Sequence, residues 1–191
     1  VEARRRGLRT AQAVTFPSMV LANGRAQLAD IKAVSDGYPL RGRLSSATRT
    51  GEPGQPVDGG PGRGMAWVEE RLLTALGAAP GGMLQVGSAG LPVAAILTLE
   101  PDRGVNFFTL APRLMMHLDD LPATALVQTG ARVSYRLLVA GEADAVAGFG
   151  AWAKARLGRG ERLDDASNAR PEIRGALDRA ERFLGLAALL T

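Results

Sequence analysis

Asn23-Gly24 stands between two apolar runs in "TAQAVTFPSMVLANGRAQLADIKAV", and no other dipeptide limits the fold as strongly. The tightest hairpin turn needs positive φ at both central residues, which Asn and Gly tolerate at little cost. The dipeptide therefore predicts a β-hairpin over residues 11–34, with Val14, Phe16 and Val20 on one face. Pro17 has no N–H to give a ladder and predicts an edge position or a bulge. On the return strand the apolar phase slips between Leu28 and Ile31, which predicts a bulge there.

The rest of the chain mixes both periods. "VEARRRGL" reads as a helix end closed by Gly7. "GEPGQPVDGGPGRG", residues 51–64, holds six Gly and three Pro among fourteen positions. By composition it is a flexible loop, and it lacks the GKS or GKT ending of a phosphate-binding loop. "MAWVEERLLTALG" predicts a short strand running into a helix, with Leu72, Leu73 and Leu76 inward and Gly77 closing it. "MLQVGSAGLPVAAILTLEP" predicts a second hairpin, turning at Ser88-Ala89-Gly90. "ARVSYRLLVAG" alternates, placing Val133, Tyr135, Leu137 and Val139 on one face. "EADAVAGFGAWAKARLG" is an amphipathic helix with Val146, Phe149, Ala153 and Leu157 on one stripe. "ERLDDA" predicts a short strand, and residues from Ser167 onward predict a last helix. Strands and helices do not alternate strictly, so an α+β arrangement fits better than a doubly wound parallel sheet.

Charge is uneven along the chain. Residues 1–50 carry nine Lys/Arg against three Asp/Glu, within a total of 23 against 19. A basic front suits either nucleic acid or an anionic membrane surface, or simply a solvated arginine-rich face. Aromatic residues make up only 5% of the chain and do not interleave with the arginines, which argues against a single-strand stacking platform.

Little catalytic chemistry is available. The chain has no cysteine and one histidine, His117, so a His/Cys metal site is excluded. No G-x-S-x-G elbow supplies a nucleophile for His117 to activate. The acidic pairs Glu69-Glu70, Asp119-Asp120 and Asp164-Asp165 are neighbours that point apart, which suits helix starts better than a shared ligand. The Phe107-Phe108 and Met115-Met116 doublets break inside/outside alternation, so each pair is buried on both faces or has one member facing a partner. No residue is assigned a catalytic, cofactor-binding or metal-binding role, and no cofactor is expected.

Five strings taken in order carry a resemblance: "ADIKAVSDGYPLRGRL", "AWVEERLLTALGAAPGGMLQVG", "ILTLEPDRG", "FTLAPRLMMHLDDLPATALVQTGARVSYRLLVAG" and "ARPEIRGALDRAERFLGLAALL". Together they resemble the large extracytoplasmic loop of FtsX-like ABC transporter permeases of the YbbP-like branch, similar to the MacB and LolC/LolE permeases. The resemblance implies a porter-like βαββαβ unit, lacking its first strand here, with an inserted, mostly β, Sabre-like subdomain. Residues 1–37 plus 127–166 would form the porter-like part and 38–126 the insertion. Residues 167–191 would form a helix running into a truncated transmembrane segment, since nine uncharged residues come after Arg182.

The resemblance further implies a non-catalytic periplasmic domain of an inner-membrane permease. Its partners would be a separate cytoplasmic ABC ATPase subunit and a periplasmic lysophospholipase/thioesterase-type protein, with no nucleic acid. Hydrolysis in the ATPase would drive shape change in this domain, and the substrate would be hydrophobic or amphipathic. The alternative is a free-standing periplasmic binding or adaptor domain. The two differ in the reading frame beyond Thr191: about 20 further apolar residues are expected for the permease, and a polar continuation would favour the adaptor.

Overall fold

The computed structural model describes residues 2–103, 111–128 and 130–164. The chain divides into two units, residues 1–142 and 143–191.

The first unit opens with a short helix, α1 (Glu2–Arg5), closed at Gly7 with φ +70°. Then come β1 (Arg9–Ala22) and β2 (Arg25–Val34), joined by Asn23 and Gly24 at φ 50° and 71°. The expected hairpin is present, and it is longer than expected. Its register runs from Ala13↔Val34 to Ala22↔Arg25 without a shift, so neither expected bulge occurs. Pro17 needs none. It lies opposite Asp30, at a position where its nitrogen faces away from β2. On that other edge β1 is between partners, since β9 pairs with it as far as Thr15 and β6 begins at Val20.

The strands β3 (Leu44–Ala47), β4 (Gln55–Val57) and β5 (Ala66–Val68) come next, then the helix α2 (Glu70–Leu76). Leu72, Leu73 and Leu76 face the core as expected. Gly77, in the left-handed conformation, returns its N–H to the last turn of the helix. A second hairpin pairs β6 (Met83–Val86) with β7 (Ala89–Leu99), turning at Gly87-Ser88, one residue earlier than expected. β8 (Arg113–His117), a 3-10 turn over Leu118–Asp120, α3 (Leu121–Thr124) and β9 (Ser134–Ala140) complete the unit.

Neighbouring pairs run β1–β2–β8–β5–β7–β6 and return to β1, so six strands close into a ring. β9 adds to β1, and β3 with β4 adds to β7. Two pairings, β2–β8 and β5–β7, are parallel, and the rest are antiparallel. Strands from residues 1–37 and from 38–126 thus share one sheet.

Both faces of this sheet carry buried apolar clusters. The larger one joins Val14, Phe16 and Val20 of β1, Ile31 of β2, Leu114 and Met116 of β8, and the three leucines of α2. Each fully buried side chain of this size contributes about 1.5–3 kcal/mol. The smaller cluster joins Ala11, Ala13, Val34, Tyr38, Leu44, Leu97 and Met115. Met115 and Met116 are therefore both buried, one to each cluster.

The Gly/Pro-rich stretch 51–64 departs from its composition. It contains β4, and it crosses close to the sheet. A Cβ added at Gly54 would stand 1.8 Å from Thr98 Oγ1, and one at Gly60 would stand 3.0 Å from Val34 Cγ2. Gly54 and Gly60 allow close approach, while Gly51, Gly59 and Gly64 take the left-handed conformation of turns.

Along β9 the alternation gives a misleading face: Tyr135 and Leu137 are exposed. Among the described residues β9 pairs with β1 alone, through Arg9–Thr15, so one edge of β9 has no strand beside it.

The second unit contains α4 (Ala143–Lys154), with Phe149 buried and tilted against Trp152 at 5.6 Å between ring centres. The helix stops before Leu157, which is exposed. Residues 161–164 are irregular, so the expected strand at 161–166 does not start there. Leu163 alone is apolar among them, which leaves no face to bury. The expected helix from Ser167, the terminal apolar run and the Phe107-Phe108 doublet lie outside the described residues.

At Gly87 a left-handed backbone coincides with close approach to another backbone segment. The Gly87 φ is +58°, and a Cβ there would meet the Thr124 carbonyl oxygen at 2.1 Å. Gly24→Ala, strained only in its conformation, should cost about 1 kcal/mol in urea unfolding. Gly87→Ala should cost more than about 2 kcal/mol, since strain and overpacking add.

Candidate functional site

The densest polar chemistry lies on the face of the sheet that carries the smaller cluster. Because side chains alternate, Ala29, Ile31 and Ala33 of β2 face the larger core, while Asp30, Lys32 and Val34 face the other way. On β8, Arg113 sits opposite Asp30 and Met115 opposite Lys32. Two charged residues of β2 and one of β8 thus share one face, and all three are buried. Glu100, just beyond β7, is buried beside them.

Lys32 is the hub. Its Nζ lies 2.7 Å from Glu100 Oε1, 2.9 Å from Asp102 Oδ1 and 2.7 Å from Tyr38 Oη. It also stands 4.5 Å from the centre of the Tyr38 ring, a cation–π distance. Tyr38 donates its hydroxyl to Asp102. Arg113 continues the chain, donating from Nε to Glu100 Oε2 at 2.8 Å and from an Nη to Asp30 Oδ2 at 2.6 Å. Its backbone N–H donates to Glu69 Oε2 at 3.1 Å. Glu69 in turn pairs with Arg71 and Arg103.

Four bases (Lys32, Arg71, Arg103, Arg113) thereby meet four acids (Asp30, Glu69, Glu100, Asp102). The cluster is neutral, and among the described residues no buried side-chain nitrogen or oxygen lacks a hydrogen-bond partner. Its titration reflects position. Burial pushes the Asp30 carboxyl up, against the pull of Arg113. Burial and the neighbouring Asp102 carboxylate push the Tyr38 phenol up. For Asp102, burial acts upward, but the Lys32 charge and the bonds from Tyr38 and Lys32 outweigh it and hold the carboxyl below its usual value. With each charge already matched and hydrogen-bonded, the arrangement ties β2, β8, the end of β7 and the Tyr38 loop together. It offers no free nucleophile or base.

The residues singled out from sequence are placed elsewhere or in other roles. His117 is buried, with Nε2 3.3 Å from Asp36 Oδ1 and Nδ1 accepting the Asp119 N–H at 3.2 Å. It caps the 3-10 turn. The members of two acidic pairs separate. Glu69 joins the charge cluster while Glu70 accepts the Gly51 N–H at 3.4 Å. Asp119 pairs with Arg63 at 2.6 Å while Asp120 accepts the Gly64 N–H at 2.7 Å. Glu69 and Asp120 stand at helix starts, yet neither side chain caps its own helix. Asp164 pairs with Arg162 at 3.0 Å, and Asp165 lies outside the described residues. Among the described residues no three His, Asp or Glu side chains converge as a metal site. No described helix is long and apolar enough to cross a membrane.

Arg113→Met should cost about 3–5 kcal/mol in urea unfolding, because Asp30 and Glu100 would stay buried without their partner. The exposed pair Arg43–Asp58, at 3.5 Å, gives the contrast: Arg43→Met should cost under about 1 kcal/mol. Because the Asp102 carboxyl is held below the unfolded value of 3.8, its contribution is full above that pH. It is lost as pH falls from there through the lowered folded value. Asp102→Asn should accordingly lose less stability than the native chain between neutral pH and that acid window, read by unfolding at each pH.

No family model matches the chain. Over 190 residues, 100% of its length, it is 36% identical to the uncharacterized ABC transporter permease YbbP of Escherichia coli (strain K12). The chain spans 23% of that relative's length. It is distantly similar to the crystal structure of the periplasmic region of MacB from Actinobacillus actinomycetemcomitans, with TM-score 0.48 and 11% identity over 77% of this chain and 66% of that one. By its whole-chain similarity to YbbP, matching what the ordered strings implied, the chain corresponds in sequence to one part of an ABC transporter permease of that kind.

Proposed function

We propose that this chain is the extracytoplasmic domain of an ABC transporter permease subunit, coupling ATP hydrolysis in a cytoplasmic partner to conformational change outside the inner membrane. The observation that carries this reading is the 36% identity to a permease along the whole chain. The neutral charge cluster is consistent with it. A domain that transmits motion needs elements held rigidly together, and the Lys32 hub ties two sheet strands to the turn after β7. In this reading the domain is not an enzyme, and hydrolysis resides in a separate ABC ATPase subunit. The substrate is hydrophobic or amphipathic, and a periplasmic lysophospholipase/thioesterase-type protein is a candidate partner.

The subdomain division belongs to the same proposal. Residues 1–37 plus 127–166 supply the porter-like part, and 38–126 the insertion. The length of β1 supports a shared boundary, since its first half pairs with β9 and its second half pairs with β6.

The absence of native cysteine in this chain makes its location testable. Ser88→Cys sits at the exposed turn of the second hairpin. In the full-length permease in intact cells, a membrane-impermeant maleimide should label that residue. Labelling only after the inner membrane is broken would place the domain in the cytoplasm and overturn the reading.

A further inference from the structure

We propose that the arginine-rich surface at the start of β1 binds the phosphate headgroups of an anionic membrane, a proposal that rests on the permease reading. Residues 2–12 and 38–44 contain six arginines and one acidic residue, Glu2. The fold brings these two segments side by side. The Gln12 N–H donates to Ser35 Oγ at 2.8 Å, Ser35 returns its N–H to the Gln12 carbonyl at 3.0 Å, and Arg9 Nη2 donates to the Leu40 carbonyl at 3.2 Å. α1 folds back on the same strand start, with the Leu8 N–H on the Ala3 carbonyl and both side chains buried. Arg4, Arg5, Arg9, Arg41 and Arg43 are left exposed.

The charges here differ in kind from the buried cluster. Arg5 reaches Glu2 only at 3.9 Å, and Arg43 reaches Asp58 at 3.5 Å with their side chains 69% and 88% exposed. Such loose, solvated pairs hold little energy and exchange readily for phosphate oxygens. Several exposed cations grouped on one surface are what an anionic lipid layer attracts. Nucleic acid is the weaker match. The aromatic residue within the 38–44 segment, Tyr38, is buried with its hydroxyl bonded to Asp102, so it presents no ring on which a base could stack.

Sedimentation of the 191-residue chain with vesicles tests this. Binding is expected to phosphatidylcholine vesicles containing phosphatidylglycerol, not to phosphatidylcholine alone, and should weaken as salt is raised. Each arginine near such a surface is worth a factor of about five, so R4Q/R5Q/R41Q should lower partitioning roughly a hundredfold. The variant R9Q/R43Q should give a smaller loss of the same kind from the other members of the surface. The control R25Q/R49Q/R63Q removes equal charge from other exposed sites of the first unit and should bind as the native chain does. Equal loss in the control, or no loss in either patch variant, would overturn the proposal. So would binding of a duplex DNA oligonucleotide as tight as that of the vesicles at the same salt. Failure here would leave the permease reading intact, because labelling at Ser88→Cys does not depend on lipid binding.

Discussion

The buried ammonium of Lys32 is the constraint around which the first unit is arranged. A lysine head group taken out of water is costly unless opposite charge and hydrogen-bond acceptors surround it. Glu100, Asp102 and Tyr38 meet that demand at 2.7–2.9 Å. Meeting it fixes where the end of β7, the turn after it and the loop carrying Tyr38 must lie. Arg113 extends the same logic to Asp30 and Glu69, and so from β2 through β8 to the start of α2. The smaller apolar cluster, with Val34, Leu97 and Met115, lies on the same face of the sheet.

The local elements were legible because their causes are local. Asn23-Gly24 dictated the first hairpin, and the leucine spacing with Gly77 dictated α2. The charge cluster was not legible, because its members are separated by 68 residues from Lys32 to Glu100 and 83 from Asp30 to Arg113. One trace of it was present. The slip in apolar phase between Leu28 and Ile31, read as a bulge, arises because Leu28, Asp30 and Lys32 share a face on an unbroken strand. On that face the leucine is exposed and the two charged residues are buried. A charged pair at alternate positions inside an apolar strand was the signal to pursue. The Gly/Pro-rich stretch misled for a related reason: composition reports what a backbone permits, and here it permits close contact with Thr98 and Val34.

These features suit a part whose work is mechanical in the proposed reading. Covalent catalysis needs a reactive group held in an incomplete environment, poised for a substrate. The polar groups of this cluster are instead matched to one another. In that reading the cluster keeps the strands of the first unit tied together while the protein changes shape.

A double-mutant cycle at Lys32 and Glu100 tests most directly whether the cluster acts as a single tie. Lys32→Met, Glu100→Gln and the double variant would be compared by urea unfolding. A single tie should show strong non-additivity, with the double variant costing little more than the worse single one and a coupling of about 1–3 kcal/mol. Additive losses would contradict it, since the two groups would then be held by their surroundings and not by each other.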